Sequence, residues 1–288
     1  MERIMKIAVI GDLHYPALEE EYGFIEENRK AFYETFLERF FSVPADLYVS
    51  IGDLTNFGWK EELEEVYALI NQHQKPFLHV LGNHDVYGQT REEVLNITGQ
   101  QRFHSITTES AVLAFINTAK EQDFEDWGGT LDPQQLDWLE GAIEQSGDLP
   151  LIMFAHHPVY DTTANSEKEK LSIHPDVPVW EILSKKEGAG LYVNGHNHTN
   201  SIAARDQWNF LQLAAVLDEQ AVRTIEVSES HISVDSIELD DPELRKHAQV
   251  IGNAINHFQL KSQPLGTDGD TKLLIPLPKR AVSSAENV

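Results

Sequence analysis

Residues 7–14 read IAVIGDLH, an apolar run that ends directly in Gly11-Asp12-Leu13-His14. A run this short and this apolar is typical of a strand that is buried on both faces of a sheet. Glycine allows the backbone to turn sharply where the strand stops. The aspartate and the histidine then follow at the edge where open α/β sheets build their ligand sites. We therefore predict the first strand of an α/β sheet here, with a polar site at its carboxyl end.

Short apolar strands alternate with amphipathic helices through the first two thirds of the chain. Buried strands are predicted at residues 4–10, 46–51, 77–81, 111–116, 151–154 and 191–193. Apolar residues at helical spacing predict helices at 24–41 and 59–72. Asp132 followed by Pro133 predicts the N-cap and first turn of a further helix, which ends near residue 143.

After residue 200 the pattern changes to successive strands with short connections, for which antiparallel pairing is expected. These strands are predicted at 201–205, 208–214, 222–227 and 231–239, and a helix follows from 240–242 to about 258. From residue 262 the chain is polar and rich in turn-forming residues. We predict a single α/β domain over residues 1–260 and a C-terminal tail over 261–288, partly disordered or lying on the surface.

Composition limits the functions that are compatible with the chain. Its 288 residues, 41% of them hydrophobic, suffice for one sizeable core. With 22 basic and 47 acidic residues, the formal charge of −25 opposes binding of a polyanion such as DNA. Acidic runs near residues 19–27 and 61–65 are interpreted as solvated helix faces. No signal peptide and no apolar run of about 18 residues is recognised, so a cytoplasmic location without a membrane partner is expected.

Five short motifs place aspartate, asparagine or histidine at or near the predicted strand ends, most of them beside a glycine. They are Gly11-Asp12-Leu13-His14, Gly52-Asp53-Leu54-Thr55-Asn56, Gly82-Asn83-His84-Asp85, His156-His157-Pro158 and Gly195-His196-Asn197-His198. Each motif alone is common in turns and helix caps, but five in one strand-end context indicate a metal centre. The chain has no cysteine, so the ligands are oxygen and imidazole nitrogen, which suit manganese, iron, zinc or cobalt.

This ordered series of motifs resembles the calcineurin-like metallophosphoesterase superfamily over Asp12 to His198. Further features are similar to its bacterial branch of glycerophosphodiesterases and class III cyclic-nucleotide phosphodiesterases. Those features include Gly-Asp-Leu-Thr-Asn in the second motif and the doubled histidine before Pro158. The resemblance implies two packed mixed β-sheets flanked by helices, with the metal site at the carboxyl ends of the strands.

The resemblance also implies a role for each motif residue. Asp12, His14 and His198 would hold one metal ion, and Asn83, His156 and His196 the other. Asp53 would bridge both, because a carboxylate between two cations reduces their repulsion. Two such ions can share a hydroxide that attacks phosphorus, and they absorb the charge that develops on the phosphate.

His84, Asp53 and Asn83 are the residues predicted to take part in catalysis. The resemblance makes His84 a phosphate contact and the proton donor to the leaving alkoxide, which suits the near-neutral titration of imidazole. A purely structural hydrogen bond is the alternative. Protein phosphatases of the family have an aspartate at the position of Asn56, whereas phosphodiesterases have asparagine. The Asn56 amide oxygen is therefore expected to accept a hydrogen bond from the His84 ring.

Several neighbours of the motifs are open to two interpretations. Asp85 is either a partner of a metal ligand or a cap. His157 should point away from His156 in an extended segment, and it is either a packed histidine or part of the site. Tyr15, Phe57 and Tyr87 directly follow motif residues and are predicted to form a wall of the substrate pocket.

We predict a dinuclear metal-dependent phosphoesterase that hydrolyses small phosphodiesters. A phosphomonoesterase or a nucleotide pyrophosphohydrolase would share the same metal core, because pocket loops decide the substrate. A non-catalytic binding protein on the same fold would be expected to have lost ligands, and all seven are present. No nucleic acid polymer is expected as a partner, and a homo-oligomer is compatible with the sequence.

Overall fold

Two six-stranded mixed sheets, packed face to face, form the centre of the computed structural model, which describes residues 4–18, 20–239 and 241–278. The strands are β1 (Met5–Ile10), β2 (Leu47–Ser50), β3 (Phe77–His79), β4 (His104–Thr107), β5 (Val112–Phe115), β6 (Leu151–Phe154), β7 (Gly190–Asn194), β8 (Ser201–Arg205), β9 (Trp208–Gln212), β10 (Ala221–Val227), β11 (His231–Glu238) and β12 (Leu273–Pro276). The first sheet has the order β12-β11-β10-β1-β2-β3, and the second has the order β4-β5-β6-β7-β9-β8. The predicted pair of mixed sheets is confirmed.

Helices cover the outer faces of both sheets. They are α1 (Glu26–Ser42), α2 (Lys60–Asn71), α3 (Arg91–Thr98), α4 (Pro133–Ser146), α5 (Val179–Leu183) and α6 (Pro242–Ala254). Residues of α1, α2 and α6 pack on the first sheet, and residues of α4 and α5 pack on the second. Within the described residues, no helix is both long and apolar enough to cross a bilayer.

Strand β1 shows why an apolar run is required at this place. Ile7 and Val9 face the second sheet, whereas Ala8 and Ile10 face the helices, and all four are buried. Alternate side chains point to opposite faces of a strand, so a central strand with two covered faces must be apolar throughout.

Parallel pairing brings the motif loops to one edge of each sheet. Strands β1, β2 and β3 run parallel in the first sheet, and β5, β6 and β7 run parallel in the second. The loops that leave β1 and β2 are joined by the Asp12 N–H to the Gly52 carbonyl (3.1 Å) and by the His14 N–H to the Asp53 carbonyl (2.9 Å). The loops after β6 and β7 are joined by the Gly195 N–H to the His156 carbonyl (3.0 Å).

The C-terminal half differs from the predicted run of antiparallel strands. Strands β8 and β9 pair antiparallel, as do β10 and β11, but β9 also pairs parallel with β7, and β10 pairs antiparallel with β1. The chain therefore crosses from the second sheet to the first between β9 and β10, so these two strands are not neighbours. Helix α6 ends at Ala254, earlier than expected, and its N-cap is Asp241; the predicted start at Asp240 lies outside the described residues.

Two strands and two helices were not predicted from the sequence. Strand β4 is an edge strand that is mostly exposed, so it lacks the apolar run of a buried strand. Strand β12 does read Leu-Leu-Ile-Pro, but it buries Ile275 alone and lies in the region predicted to be a tail. Helix α5 has only five residues, and α3 buries only Val94 and Thr98. Strand β12 lies in the expected tail and pairs with β11, whereas the tail beyond residue 278 lies outside the described residues.

One acidic residue of the 61–65 run contradicts the expected solvated face. Glu61, Glu64 and Glu65 are exposed, but Glu62 is only 1% exposed. Its carboxylate accepts hydrogen bonds from the N–H groups of Ala17 (2.9 Å), Phe57 (2.9 Å) and Trp59 (3.1 Å). Glu62 thus supplies acceptors to backbone donors that lie around the start of α2.

Candidate metal centre

The seven predicted metal ligands converge on one buried place at the carboxyl ends of the strands. Five of the seven have a left-handed backbone: Asp12 (φ 49°), His14 (φ 49°), Asp53 (φ 48°), His196 (φ 71°) and His198 (φ 52°). Residues other than glycine rarely adopt this conformation, and it persists where the surroundings enforce it, often at functional sites. Three of the five motif loops therefore hold their polar side chains on a backbone conformation that is uncommon for residues other than glycine.

Two glycines make room for ligands of neighbouring loops. A Cβ at Gly52, where φ is +106°, would lie 2.3 Å from Nδ1 of His156. A Cβ at Gly82 would lie 2.1 Å from Oδ1 of Asp53. These glycines are required because ligand side chains occupy the space that a larger residue would fill.

The first cluster contains Asp12, His14, Asp53 and His198, whose ligand atoms lie within 4.8 Å of one another. Nε2 of His14 is 3.2 Å from Nε2 of His198 and 3.9 Å from Oδ2 of Asp53. Nε2 of His198 is 3.6 Å from Oδ1 of Asp12. Oδ2 of Asp12 is buried and has no hydrogen-bond partner among the described residues. An unpaired buried carboxylate oxygen beside two imidazoles fits a bound cation.

The second cluster is centred on Nε2 of His156. This nitrogen lies 3.1 Å from Oδ1 of Asn83, 3.1 Å from Nδ1 of His196 and 3.2 Å from Oδ2 of Asp53. Nδ1 of His156 faces the Ile51 carbonyl (3.1 Å), and Nε2 of His196 faces the Lys170 carbonyl (3.0 Å).

These carbonyl contacts determine which nitrogen of each ring carries the proton. A carbonyl only accepts, so Nδ1 of His156 and Nε2 of His196 are the protonated nitrogens of the neutral rings. The other nitrogen of each ring then turns its lone pair toward the other ring and toward two acceptor oxygens. With both rings neutral, these four acceptors repel one another unless a proton or a metal cation lies between them, so the set of ligand atoms fits a second metal ion.

Electrostatics agrees with a place for positive charge. Burial opposes protonation, but Asp53 outweighs it and raises the pKa of His156 to about 9. Burial and the neighbouring His156 lower the pKa of His196 to about 3. Oδ2 of Asp53 faces both clusters, while Oδ1 accepts a hydrogen bond from the His84 N–H (2.9 Å). Asp53 is thus the carboxylate that both clusters share.

His157 lies beside the second cluster, and both of its ring nitrogens face protein hydrogen-bond partners. One of its ring nitrogens lies within 4.8 Å of a ring nitrogen of His156 and of His196. However, Nε2 faces the Trp127 carbonyl (2.8 Å), and Nδ1 faces the Thr118 hydroxyl (2.8 Å). With Nε2 protonated by the first contact, the lone pair of Nδ1 accepts from Thr118, and none remains for a metal ion. His157 packs against His196, with 4.2 Å between ring centroids.

His84 lies next to the first cluster, with its ring 4.6 Å from that of His14 at an angle of 89°. Its Nδ1 is 2.7 Å from the main-chain carbonyl oxygen of Asn56. Burial lowers the pKa of His84. The expectation that the Asn56 side chain accepts this hydrogen bond is wrong. The amide instead donates through Nδ2 to the Asn256 carbonyl (3.1 Å), because the backbone already presents an oxygen to the ring.

Asp85 joins the second and third motif loops through its hydrogen bonds. Its Oδ1 accepts from the Thr55 N–H and hydroxyl, both at 2.9 Å, and its Oδ2 accepts from the Gly82 N–H (2.8 Å). Oδ2 also lies 3.2 Å from Nε2 of His79. Asp85 therefore fixes the positions of the second and third motifs rather than reaching a metal ion.

Two residues near the site gave no signal in the sequence. Oδ2 of Asp218 is 3.8 Å from Nδ1 of His198, and its Oδ1 accepts from the Lys261 N–H (2.7 Å). Burial raises the pKa of Asp218 to about 6. The ring of Phe258 stacks on His198 (5.1 Å, 29°) and meets the edge of His14 (4.8 Å). Both residues come from connections outside the five motifs, where single-sequence reasoning has no spacing to use.

The three predicted wall residues have different surroundings. Tyr15 is buried and contacts Tyr33 and Arg29. The ring of Tyr87 lies 4.9 Å from that of His84, and Phe57 lies 6.3 Å from Tyr87. Tyr87 therefore lies directly beside His84, and Phe57 is one ring further away.

A family model for calcineurin-like phosphoesterases matches residues 5–200. The chain belongs to the calcineurin-like phosphoesterase family, and it is a metal-dependent hydrolase of phosphoric esters.

The relatives agree with the predicted branch. A glycerophosphodiester phosphodiesterase of Enterobacter lignolyticus is 24% identical over 223 residues, which are 75% of this chain and 78% of that protein. A probable cyclic nucleotide phosphodiesterase of Rhodopseudomonas palustris is 26% identical over 204 residues, covering 67% and 72%. Among solved structures, a dimetal phosphatase from Danio rerio has a similar fold, with a TM-score of 0.67, 16% identity and coverage of 81% of this chain and 96% of that one.

Proposed function

We propose that the chain is a dinuclear phosphodiesterase of small substrates, with Asp12, His14 and His198 at one metal ion and Asn83, His156 and His196 at the other. The single observation that carries this proposal is Oδ2 of Asp53, which lies 3.9 Å from Nε2 of His14 and 3.2 Å from Nε2 of His156. One carboxylate oxygen that faces two separate donor clusters is the arrangement expected of a bridging ligand. Bound manganese, iron, zinc or cobalt would supply an activated hydroxide and neutralise charge on the phosphate.

The protein's own groups prepare the site for this reaction. Asp53 accepts the His84 N–H and so fixes the start of the short helix His84–Val86. The Asn56 carbonyl holds the proton on Nδ1 of His84 when the ring is neutral. Nε2 then approaches the substrate as an acceptor, or as a donor once the ring is protonated. A leaving alkoxide would take its proton from that atom.

The test combines metal analysis with turnover. The purified protein loaded with manganese should hydrolyse bis-p-nitrophenyl phosphate, chelation should abolish turnover, and added manganese should restore it. Asp53→Asn should lower the occupancy of both metal sites, because it removes the shared charge but keeps a residue that tolerates a left-handed backbone. Asp206→Asn is the matched control, since Asp206 also has a positive φ (52°) but lies exposed between β8 and β9.

Full turnover after chelation, with metal loss confirmed by elemental analysis, would contradict metal dependence. Two fully occupied sites in Asp53→Asn would contradict the shared ligand while leaving a metal-dependent enzyme.

A further inference from the structure

Four aromatic side chains form a ladder beside the metal centre. The rings of Tyr87 and Phe124 are stacked at 4.8 Å and 22°, and those of Phe57 and Trp59 are stacked at 6.4 Å and 18°. Phe57 joins the two pairs, at 6.3 Å from Tyr87 and 6.5 Å from Phe124. We call Tyr87, Phe124, Phe57 and Trp59 the aromatic ladder.

The ladder begins at the predicted catalytic residues. The Tyr87 hydroxyl accepts a hydrogen bond from Nδ2 of Asn83 (2.7 Å), whose Oδ1 belongs to the second cluster. The Tyr87 ring also lies 4.9 Å from that of His84. The ladder is therefore fixed to a metal ligand at one end, and Phe124 is one ring removed from His84.

The other end of the ladder is open to solvent. Tyr87 is buried, whereas Phe124 is 49% exposed and Trp59 is 39% exposed. The loop that carries Phe124 is held by the Gln122 N–H, which donates to the Val86 carbonyl (2.8 Å), and by the ion pair of Lys120 with Asp126. A fixed loop thus leaves about half of the Phe124 side chain exposed, one ring away from His84.

The angles between the rings indicate which ligand fits. An organic cation is held by ring faces that surround it. Here both stacked pairs are nearly parallel, so the next group that fits is another flat ring, and base–aromatic stacking accepts any nucleobase. On the basis of the proposed function, we propose that Phe124, with Phe57 beside it, binds the base of a nucleoside phosphodiester, so esters of simple aliphatic alcohols are poorer substrates.

The experiment compares Phe124→Ala, Phe124→Leu and Phe124→Trp with the manganese-loaded wild type. For a nucleoside cyclic phosphodiester, kcat/KM should fall about 10-fold in the alanine and leucine variants, mainly through KM, and tryptophan should retain it. For glycerophosphoethanolamine and glycerophosphocholine, the change should stay within about 2-fold, because neither carries a ring. Leu274→Ala is the control for an exposed apolar side chain outside the ladder, on β12.

Equal losses on all three substrates, or a larger loss on glycerophosphocholine, would overturn the stacking subsite. Binding of adenosine monophosphate is measured by calorimetry in parallel and needs no turnover. If no phosphodiester is hydrolysed, the proposed function fails, and about 10-fold weaker nucleotide binding by Phe124→Ala still supports the subsite. Unchanged nucleotide binding by that variant contradicts the subsite, whatever the activity.

Discussion

His156, His157 and His196 lie together, and their hydrogen bonds distinguish the two predicted ligands, His156 and His196, from His157. In His156 and His196 a carbonyl occupies one ring nitrogen and leaves the other nitrogen as a lone pair that faces the site. In His157 both nitrogens are occupied, by Trp127 and Thr118. The doubled histidine in the sequence could not show this difference, because it depends on residues that are 30 and 39 positions away along the chain.

A substitution of His84 tests its predicted role as the proton donor to the leaving group. His84→Ala should keep both metal sites occupied and lose about 10²–10⁴-fold in rate on a diester with an alkyl leaving group. On bis-p-nitrophenyl phosphate the loss should be below about 10-fold, because p-nitrophenolate leaves without a proton. Rates on both substrates are measured with metal content as the control. An equal loss across leaving groups would assign His84 to phosphate binding alone.

Metal binding is predicted to require the glycines of the strand-end loops as well as the ligands. Gly52→Ala should weaken metal binding at the second cluster and lower the midpoint of thermal unfolding, because the new Cβ would meet His156 in a backbone with φ +106°. Gly99→Ala is the matched control: φ is +67°, but nothing lies within 4 Å of the added Cβ. The free energy of unfolding of Gly99→Ala should fall by about 1 kcal/mol, and this variant should keep its metal. Equal effects of the two substitutions would show that backbone strain alone is responsible.

Glu62 at the start of α2 gives a pH-dependent prediction. Burial raises the pKa of Glu62 from 4.5 to about 7. A carboxyl group with a raised pKa binds its proton more tightly in the folded state, so its contribution to stability is complete below pH 4.5 and is lost as pH rises through 7. The stability of the wild type relative to Glu62→Gln should therefore fall by roughly 1–3 kcal/mol across this window.

Urea unfolding at several pH values measures this difference for Glu62. A difference that does not change, or that rises with pH, would mean that the three backbone donors to Glu62 keep its carboxylate ionised throughout.

The sequence predicted the elements that bury apolar surface on both faces, and it missed contacts made by main-chain atoms. The central strands followed from apolar runs that end at turn-forming residues, because burial and turning impose that order. The meeting of the motif residues followed from their places at the strand ends, whereas their roles as ligands were implied by the family resemblance alone. The acceptor for His84 could not be predicted, since every residue has a carbonyl and only the folded loop chooses that of Asn56. Phe258 and Asp218 reach the site through connections after α6 and β9, where local pattern carries no information on distance.

For the whole molecule, the match to the family model covers only part of the fold, because strands β8 to β12 follow its last residue. It covers residues 5–200, but β10 pairs along β1, and β11 and β12 extend the same sheet. The region after residue 200 therefore supports β1, the strand that leads into the loop with Asp12 and His14.

The distribution of charge predicts the size of the substrate. The formal charge of −25 repels a polyanion over about 8 Å at physiological salt. Lys120, Lys168 and Lys170 line one cavity, and the Lys170 carbonyl contacts Nε2 of His196 (3.0 Å). However, Lys120 pairs with Asp126, the Lys168 ammonium contacts Asn165 (2.5 Å), and the Lys170 ammonium contacts the Glu125 carbonyl (2.8 Å). They form no track for successive phosphates, each of which would need a basic partner.

Specific activity on small diesters should therefore exceed that on single-stranded DNA at fixed salt. Cyclic AMP, glycerophosphoethanolamine, a mononucleotide and single-stranded DNA are compared at equal phosphate concentration. Faster cleavage of the DNA than of every small diester would show that a local basic surface outweighs the net charge.

The left-handed backbone of five predicted ligands also constrains how this chain can evolve. Asparagine, aspartate and glycine tolerate that conformation, whereas β-branched residues do not. A mutation of His14 or His198 to one of the tolerant residues would remove a ligand and keep the loop, so the lineage would retain a folded but inactive protein. A mutation to valine or isoleucine would damage the loop as well, and selection for folding would remove it. Inactive descendants of this chain should therefore be recognisable by glycine, asparagine or aspartate at former histidine positions.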